Sequence, residues 1–224
     1  LFEGKVLAGG RDGLMAFDAQ SGTVATLRDG APDMSYVKAL LVDRSGTLWV
    51  GHRTGLARLD GSGWSEIAVD ATTPPGPVSA LIQRADGQIL AGGEAGLSRL
   101  VDGALAAVPL PAPHQNGGVS ALFEDARNRL WVGFSSPTQG GLLARTGENW
   151  REISTEDGLL HRSVNAIAAD SSGQIMVAAG YSGRGAGCIL ESPDDLSSWT
   201  CLQAADGLAS DMVRLIAEDS HGQY

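Results

Sequence analysis

Side chains that could perform chemistry are few in this sequence, and their spacing matches no catalytic or metal-binding motif. The four histidines, at positions 52, 114, 161 and 221, form neither a His-x-x-x-His nor a His-Glu-x-x-His pair. The sequence has no Gly-x-Ser-x-Gly elbow for a serine nucleophile. The glycine-rich stretch 180–187 lacks the lysine of a phosphate-binding loop, and a strand-like run follows it instead of a helix. These features predict a non-enzymatic protein with no metal and no other cofactor.

The two cysteines, Cys188 and Cys201, lie on either side of a turn predicted near residue 195. Opposite side chains on neighbouring strands are about 4.5–5.5 Å apart, which approaches the geometry of a disulfide. Two buried free thiols that act as small hydrophobic side chains are an equal alternative. An oxidising compartment would favour the disulfide.

The charge of the chain excludes two classes of partner. Its 224 residues include 16 Lys and Arg against 26 Asp and Glu, which gives a formal net charge of −10. Nucleic-acid binding depends on basic side chains at phosphates, and attachment to a membrane surface requires a basic cluster. The sequence has two lysines, Lys5 and Lys38, and no basic run. We therefore expect no nucleic-acid partner, and we expect membrane attachment only through segments outside this chain.

An internal repeat is the strongest structural signal in the sequence. Five segments begin with a valine and continue through a short apolar run, a polar turn and a second apolar run. The leading valines are Val37, Val78, Val119, Val164 and Val213, spaced 41 to 49 residues apart. Four short strands per repeat at a period of 40 to 45 residues are typical of a β-propeller blade. The 31 glycines fit the many tight turns that such a fold needs.

Each repeat is predicted to contain four strands, here called A to D. In the repeat that begins at Val37 they cover residues 37–43, 47–51, 55–60 and 64–69. The A–B turn contains an Asp-x-x-Gly motif, in which the Asp side chain bonds the following backbone and the Gly accepts a positive φ. Tryptophans recur at equivalent positions of strands B and D, which predicts packing between blades rather than ligand contact.

We therefore predict an all-β fold, a β-propeller of four-stranded antiparallel blades, in a single domain over residues 1–224. The blade repeats start near residues 37, 78, 119, 164 and 213. The chain begins with strands B, C and D and ends with a strand A, so residues 213–219 could complete the blade of residues 1–30. N- and C-terminal strands would then share one blade in a closed ring of five, with no open sheet edge. The alternative is a part of a larger six- or seven-bladed propeller.

The repeats resemble those of the two-component regulator propeller family. The strings ALLVDRSGTLWVG (residues 39–51), TGLARLDG (54–61) and ALFEDARNRLWVG (121–133) carry the resemblance, together with the EDGL link at 156–159. It implies an extracytoplasmic sensor propeller of a bacterial signalling receptor, facing the periplasm or the cell exterior. Propellers of that family usually have more than five blades, and the repeat at Val164 departs from the pattern with IMVAA in place of LWVG.

Ligand contacts are expected on the face where the B–C and D–A loops gather around the central channel, because binding residues are commonly placed on loops of a rigid scaffold. The candidate ligand-binding residues on these loops are Arg11, His52, Arg53, Glu94, His114, Phe134, His161, Arg162, Tyr181 and Arg184.

Three functions fit these features. The first is a non-catalytic, ligand-sensing domain of a bacterial two-component or related membrane signalling receptor, which binds a small molecule such as a carbohydrate. The second is an interaction scaffold that holds a protein partner on the same face. The third is a small propeller lyase or hydrolase, which would need a convergent cluster of His, Glu and a metal that the sequence does not offer.

Overall fold

The computed structural model describes residues 2–71, 73, 76–192, 194–219 and 221–222, and these residues are almost entirely β-strands and turns. They form two compact units, residues 1–109 and residues 110–224. In the described part of the chain, no helix has the length and apolar character needed to cross a membrane.

The described residues of unit 1 (residues 1–109) form eleven strands. They are β1 (Val6–Gly10), β2 (Gly13–Asp18), β3 (Thr23–Thr26), β4 (Ala39–Val42), β5 (Leu48–His52), β6 (Gly55–Asp60), β7 (Gly63–Val69), β8 (Val78–Gln83), β9 (Ile89–Gly93), β10 (Gly96–Val101) and β11 (Ala104–Ala107). Strands β1 to β3 form one antiparallel sheet. Strands β4–β7 and β8–β11 form two four-stranded antiparallel meanders, which a short parallel contact between β7 and β11 joins into one sheet of eight strands.

Unit 2 (residues 110–224) contains two separate four-stranded antiparallel meanders, β12–β15 and β16–β19. The strands are β12 (Val119–Glu124), β13 (Leu130–Phe134), β14 (Gly141–Thr146), β15 (Asn149–Ile153), β16 (Val164–Ala169), β17 (Ile175–Tyr181), β18 (Arg184–Leu190) and β19 (Trp199–Leu202). Three single-turn 3-10 helices, His114–Asn116, Thr155–Asp157 and Ala204–Asp206, lie in the links between meanders. The strands A to D predicted for the repeat at Val37 correspond to β4–β7.

Glycine at the end of strand B allows successive meanders to pack closely. A Cβ atom on Gly51 of β5 would lie 2.8 Å from the Cγ1 of Val78, and one on Gly133 of β13 would lie 2.5 Å from the Cγ1 of Val164. Both distances are shorter than a normal carbon–carbon contact. The glycine that closes the LWVG motif is therefore required because the first valine of the next repeat occupies the space beside it.

The Asp-x-x-Gly turn joins strand A to strand B and anchors the tryptophan of strand B. Asp43 Oδ1 accepts the backbone N–H groups of Ser45 and Thr47 at 2.9 and 3.0 Å, and Gly46 has a φ of +86°. Trp49 Nε1 donates to Asp43 Oδ2 at 2.8 Å. The local turn and the packing between meanders are thus linked through one carboxylate.

The equivalent turn in unit 2 has an added ion pair. Asp125 Oδ2 accepts from Trp131 Nε1 at 2.9 Å and from Arg129 Nε at 2.6 Å, and all three residues are buried. Burial acts to raise the pKa of Asp125, but the hydrogen bonds from Trp131 and Arg129 and the charge of Arg129 outweigh it, so the pKa lies below the ordinary 3.8. Trp131 packs with Val164 and Ile175 of the next meander.

Cys188 of β18 and Cys201 of β19 lie directly opposite each other and are joined by a disulfide. Their Cα atoms are 4.0 Å apart. Cys188 is fully buried in the core cluster of unit 2. The bond therefore closes the C–D hairpin of the last meander.

The strand predicted at residues 213–219 is not formed, and this part of the expected fold is corrected. The Asn165 side chain donates to the Val213 carbonyl at 2.7 Å, just as the Ser120 hydroxyl donates to the Val164 carbonyl at 2.6 Å. Val213 thus takes the position of a new strand A beside β16. Residues 213–219 form no ladder with any strand that the structure describes. The sheet of β1 to β3 has three described strands, and a blade shared by both ends stays a prediction.

We expect Asp125→Ala to lower the free energy of unfolding by about 3–5 kcal/mol, because it removes one partner of a buried ion pair and the acceptor of Trp131 Nε1. Asp43→Ala is the matched control. Asp43 forms the same turn and accepts from Trp49, but Thr47 stands where Arg129 stands, so no ion pair is lost and the loss should be about 1–2 kcal/mol. Urea unfolding of both variants measures the difference. Equal losses would contradict a special role for the buried network.

We expect the Cys188→Ala/Cys201→Ala double variant to lose about 3 kcal/mol of stability. The disulfide joins two residues 13 positions apart and so lowers the conformational entropy of the unfolded chain. Protein recovered from an oxidising compartment, then denatured without reductant, should contain no free thiol. Two free thiols per chain in that assay would show that the disulfide does not form. Reduced wild-type protein, tested in the same unfolding assay, controls for the loss of the side chains themselves.

Candidate functional site

The ten candidate residues occupy the ends of strands B and C, the B–C turns and the D–A links, as the repeat predicts. Unit 1 contains Arg11, His52, Arg53 and Glu94, and unit 2 contains His114, Phe134, His161, Arg162, Tyr181 and Arg184. Three of them, His52, His114 and Phe134, are buried, whereas the others are partly or fully exposed.

In unit 1 the segment Ser35 to Lys38 bridges the ends of β1 and β5. Tyr36 donates its backbone N–H to the Arg11 carbonyl at 3.0 Å, and Lys38 donates to the Gly51 carbonyl at 2.9 Å. Arg53 in turn donates its backbone N–H to the Ser35 carbonyl at 3.1 Å. These bonds fix the link between two B–C turns, so Tyr36 has little freedom to move away from either turn.

Tyr36 places its ring between two basic side chains. The Arg11 and Arg53 guanidinium carbons lie 5.7 and 5.4 Å from the centre of the ring, within the range of cation–π interactions. Tyr36 has a φ of +53°, a left-handed conformation that is uncommon for a residue with a bulky side chain. Such backbone outliers concentrate at functional sites.

A cavity of about 530 Å³ opens beside this ring. Its lining residues are Tyr36, Lys38, Arg53, Pro77 and Glu94, all in unit 1. The volume falls within the roughly 300–1,000 Å³ of small-molecule sites. Glu94 is held by the bond from its backbone N–H to the Pro77 carbonyl at 3.3 Å, which brings the turn after β9 to the same cavity. The structure therefore brings Arg53 and Glu94 together at one cavity, with Arg11 close by.

Sequence reasoning did not single out Tyr36, Lys38 or Pro77. Tyr36 and Pro77 directly precede Val37 and Val78, the valines that mark the start of strand A, and Lys38 follows Val37. For Lys38 the one available signal was the rarity of lysine in this chain. A cation next to an inner strand has no role in packing, so it could have been considered as a ligand contact.

His52 is fully buried at the end of β5 and takes no part in the cavity lining. Its Nδ1 lies 3.2 Å from the Thr54 hydroxyl, and within the described residues its Nε2 has no hydrogen-bond partner. Burial lowers the pKa of His52, and the charges of Glu66 and Asp33 oppose the shift only in part. His52 is therefore a neutral core side chain and not an exposed ligand contact.

In unit 2 the structure brings His114 and Phe134 together. Their rings stack with centres 4.4 Å apart at an angle of 22°, and both side chains are buried. His114 Nε2 lies 3.2 Å from Glu152 Oε1, and a Cβ on Gly141 would lie 3.6 Å from His114 Cε1. This packing anchors the link before β12 to strands β13 and β15.

The remaining candidates in unit 2 do not meet at one point. His161 Nδ1 accepts the backbone N–H of Ser163 at 2.9 Å, which shapes the link before β16. Tyr181 and Arg184 pair across the β17–β18 turn, and Tyr181 is 56% exposed. Arg162 is partly buried in the same link as His161.

The part of the chain that the structure describes contains no cluster of side chains that could bind a metal ion. No group of three or more His, Cys, Asp or Glu side chains lies close enough there to hold an ion. The cavity beside Tyr36 is the candidate site that brings two of the predicted residues, Arg53 and Glu94, together.

Comparison with known proteins supports the fold. No protein-family model matches the sequence, and no curated protein matches it. Among solved structures, the extracellular domains of two hybrid two-component systems of B. thetaiotaomicron are similar. One has a TM-score of 0.76 at 17% identity over 98% of this chain and 30% of its own. The other has a TM-score of 0.77 at 19% identity over 97% of this chain and 29% of its own.

Virginiamycin B lyase from Staphylococcus aureus is also similar, with a TM-score of 0.64 at 14% identity over 90% of this chain and 70% of its own. At these identities the likeness establishes the fold, which is a β-propeller of antiparallel blades, and the predicted fold class is confirmed. The chain spans only about 30% of the length of the two receptor domains. The sequence resemblance to two-component regulator propellers agrees with these neighbours.

We expect acidification to destabilise the protein through His52. An unfolded histidine takes up a proton below about pH 6.5, whereas buried His52 stays neutral until its lower folded pKa is reached, so stability is lost as the pH falls from 6.5. The slope can reach about 1.4 kcal/mol per pH unit. Urea unfolding between pH 7.5 and pH 5 should show a flatter profile for His52→Gln. The exposed His221→Gln is the control, and an unchanged slope in His52→Gln would contradict the assignment.

Proposed function

We propose that this chain is a non-catalytic, ligand-sensing β-propeller domain of a bacterial membrane signalling receptor. The extracellular domains of two-component systems that share its fold support a sensor role. The repeat strings in the sequence point to the same class of receptor.

A location outside the cytoplasm belongs to this proposal. The neighbouring receptor structures are extracellular domains. The Cys188–Cys201 disulfide agrees with such a location, because disulfides persist in oxidising compartments and are rare in the cytosol.

The observation that carries the proposal is the cavity beside Tyr36. It combines one aromatic side chain with charged groups of both signs, and its lining comes from the links before β4 and β8 and the turns after β5 and β9. Sites for small molecules are concave and contain a few well-placed polar groups, which this cavity provides. A docking scaffold for a protein would instead present a broad apolar patch.

The experiment is a thermal-shift screen of the purified chain against neutral and acidic sugars, amino acids and organic acids. A ligand at about 100 times its Kd adds about 2.7 kcal/mol, which should raise Tm by roughly 5–10 °C. The rise should disappear in Tyr36→Asn, since asparagine tolerates a positive φ and the ring alone is removed. It should persist in Tyr181→Asn, which removes an exposed ring from unit 2.

Mass spectrometry of the recovered ligand separates the alternatives. An unchanged ligand supports a sensor, whereas conversion of the ligand would establish a lyase or hydrolase and overturn the proposal. A protein that no small molecule stabilises, but that binds a protein partner, would be a scaffold.

A further inference from the structure

We propose that the cavity beside Tyr36 recognises a small carboxylate that also bears a hydroxyl or ammonium group. Arg53 and Lys38 would hold the carboxylate, and Glu94 would accept the second group. This inference rests on the proposed sensor function and names the ligand class that the same cavity fits.

The first argument is the sign of the charge. The whole chain carries a formal net charge of −10, yet the cavity lining contains Lys38 and Arg53 against a single acid, Glu94. Arg11 adds a further positive charge on the Tyr36 ring. A positive cavity on an acidic protein attracts anions and repels cations, and a low-dielectric cleft strengthens that field.

The second argument is that these cations are not used by the fold. Other arginines of unit 1 serve the structure: Arg44 donates to the carbonyls of Arg84 and Ala85, and Arg58 donates to Ser65. Within the described residues, the side chains of Arg53 and Lys38 make no hydrogen bond or ion pair with the protein. Their donors remain available to a ligand.

The third argument is preorganisation. The bond from the Arg53 backbone N–H to Ser35 and the contact of its guanidinium with the Tyr36 ring limit the positions of this side chain before a ligand arrives. A guanidinium fixed in this way can offer two parallel N–H donors to a carboxylate. Less conformational entropy is then lost when the ligand binds.

Glu94 restricts the class further. The lining charges of Lys38, Arg53 and Glu94 sum to one positive charge, which one carboxylate neutralises. A ligand with several negative charges would face Glu94 and be repelled. A hydroxyl or ammonium group would instead donate to the Glu94 carboxylate, which accepts hydrogen bonds but donates none when ionised.

The test uses two matched pairs of probes and isothermal titration calorimetry on the full chain. D-galacturonate and D-galactose differ at one carboxylate and represent hydroxy acids. L-phenylalanine and L-phenylalaninol represent amino acids in the same way. We expect the acid of at least one pair to bind at least about tenfold more tightly than the counterpart that lacks the carboxylate, because charge-assisted hydrogen bonds are lost in the counterpart. The pair that responds identifies the second group.

Arg53→Gln and Lys38→Gln should each weaken binding of that acid by about tenfold. Arg99→Gln is the matched control, since it removes the same charge from an exposed position on β10 and should leave binding unchanged. Circular dichroism and Tm verify that each variant folds.

Three results would overturn the inference. They are equal binding of each acid and its counterpart without the carboxylate, unchanged binding in both Arg53→Gln and Lys38→Gln, and no binding of any of the four probes at about 10 mM. Binding of a neutral ligand that is lost in Tyr36→Asn would support the sensor function but refute the recognition of a carboxylate. Conversion of the bound acid would refute the sensor function while leaving the recognition of a carboxylate intact.

Discussion

The close approach of Val37, Val78 and Val164, each at the start of a repeat, to a glycine of the preceding strand B governs much of the rest of this structure. Val78 leaves no room for a Cβ on Gly51, and Val164 leaves none on Gly133. Interiors are packed at near-crystalline density, so a contact this close permits one relative placement of the two meanders. The D–A link must then end at a defined point beside the earlier B–C turn.

That constraint also places the candidate site. Tyr36 directly precedes Val37, which approaches Gly9 in the same way that Val78 approaches Gly51. The backbone of residues 35–38 therefore runs between the B–C turns of two sheets and bonds to Gly10, Arg11, Gly51 and Arg53. The packing of apolar side chains in the core thus determines which polar side chains meet at the rim. The strained φ of Tyr36 persists because bonds on both sides hold it.

Much of the fold could be predicted because its signals are local and repeated. The Asp43 turn satisfies its own backbone, and Trp49 is tied to that turn by a hydrogen bond, so both features are visible within seven residues of sequence. The predicted strand at residues 213–219 failed for the opposite reason. A strand needs a partner to form its ladder, and nothing within the segment itself reports whether a partner is present.

Only part of the candidate site could be predicted from the sequence, because the site is formed by side chains from three repeats. Arg53 and Glu94 sit in B–C turns, whose position in the repeat marks them as exposed. Lys38 and Tyr36 flank a core valine, where the pattern predicts packing and gives no reason to expect chemistry. His52 shows the converse error: it directly precedes Arg53, yet it is the last residue of β5, a strand whose five residues are all buried. The end of β5 separates a buried neutral imidazole from an exposed cation in the turn, so the point at which the strand ends decides which of the two side chains can meet a ligand.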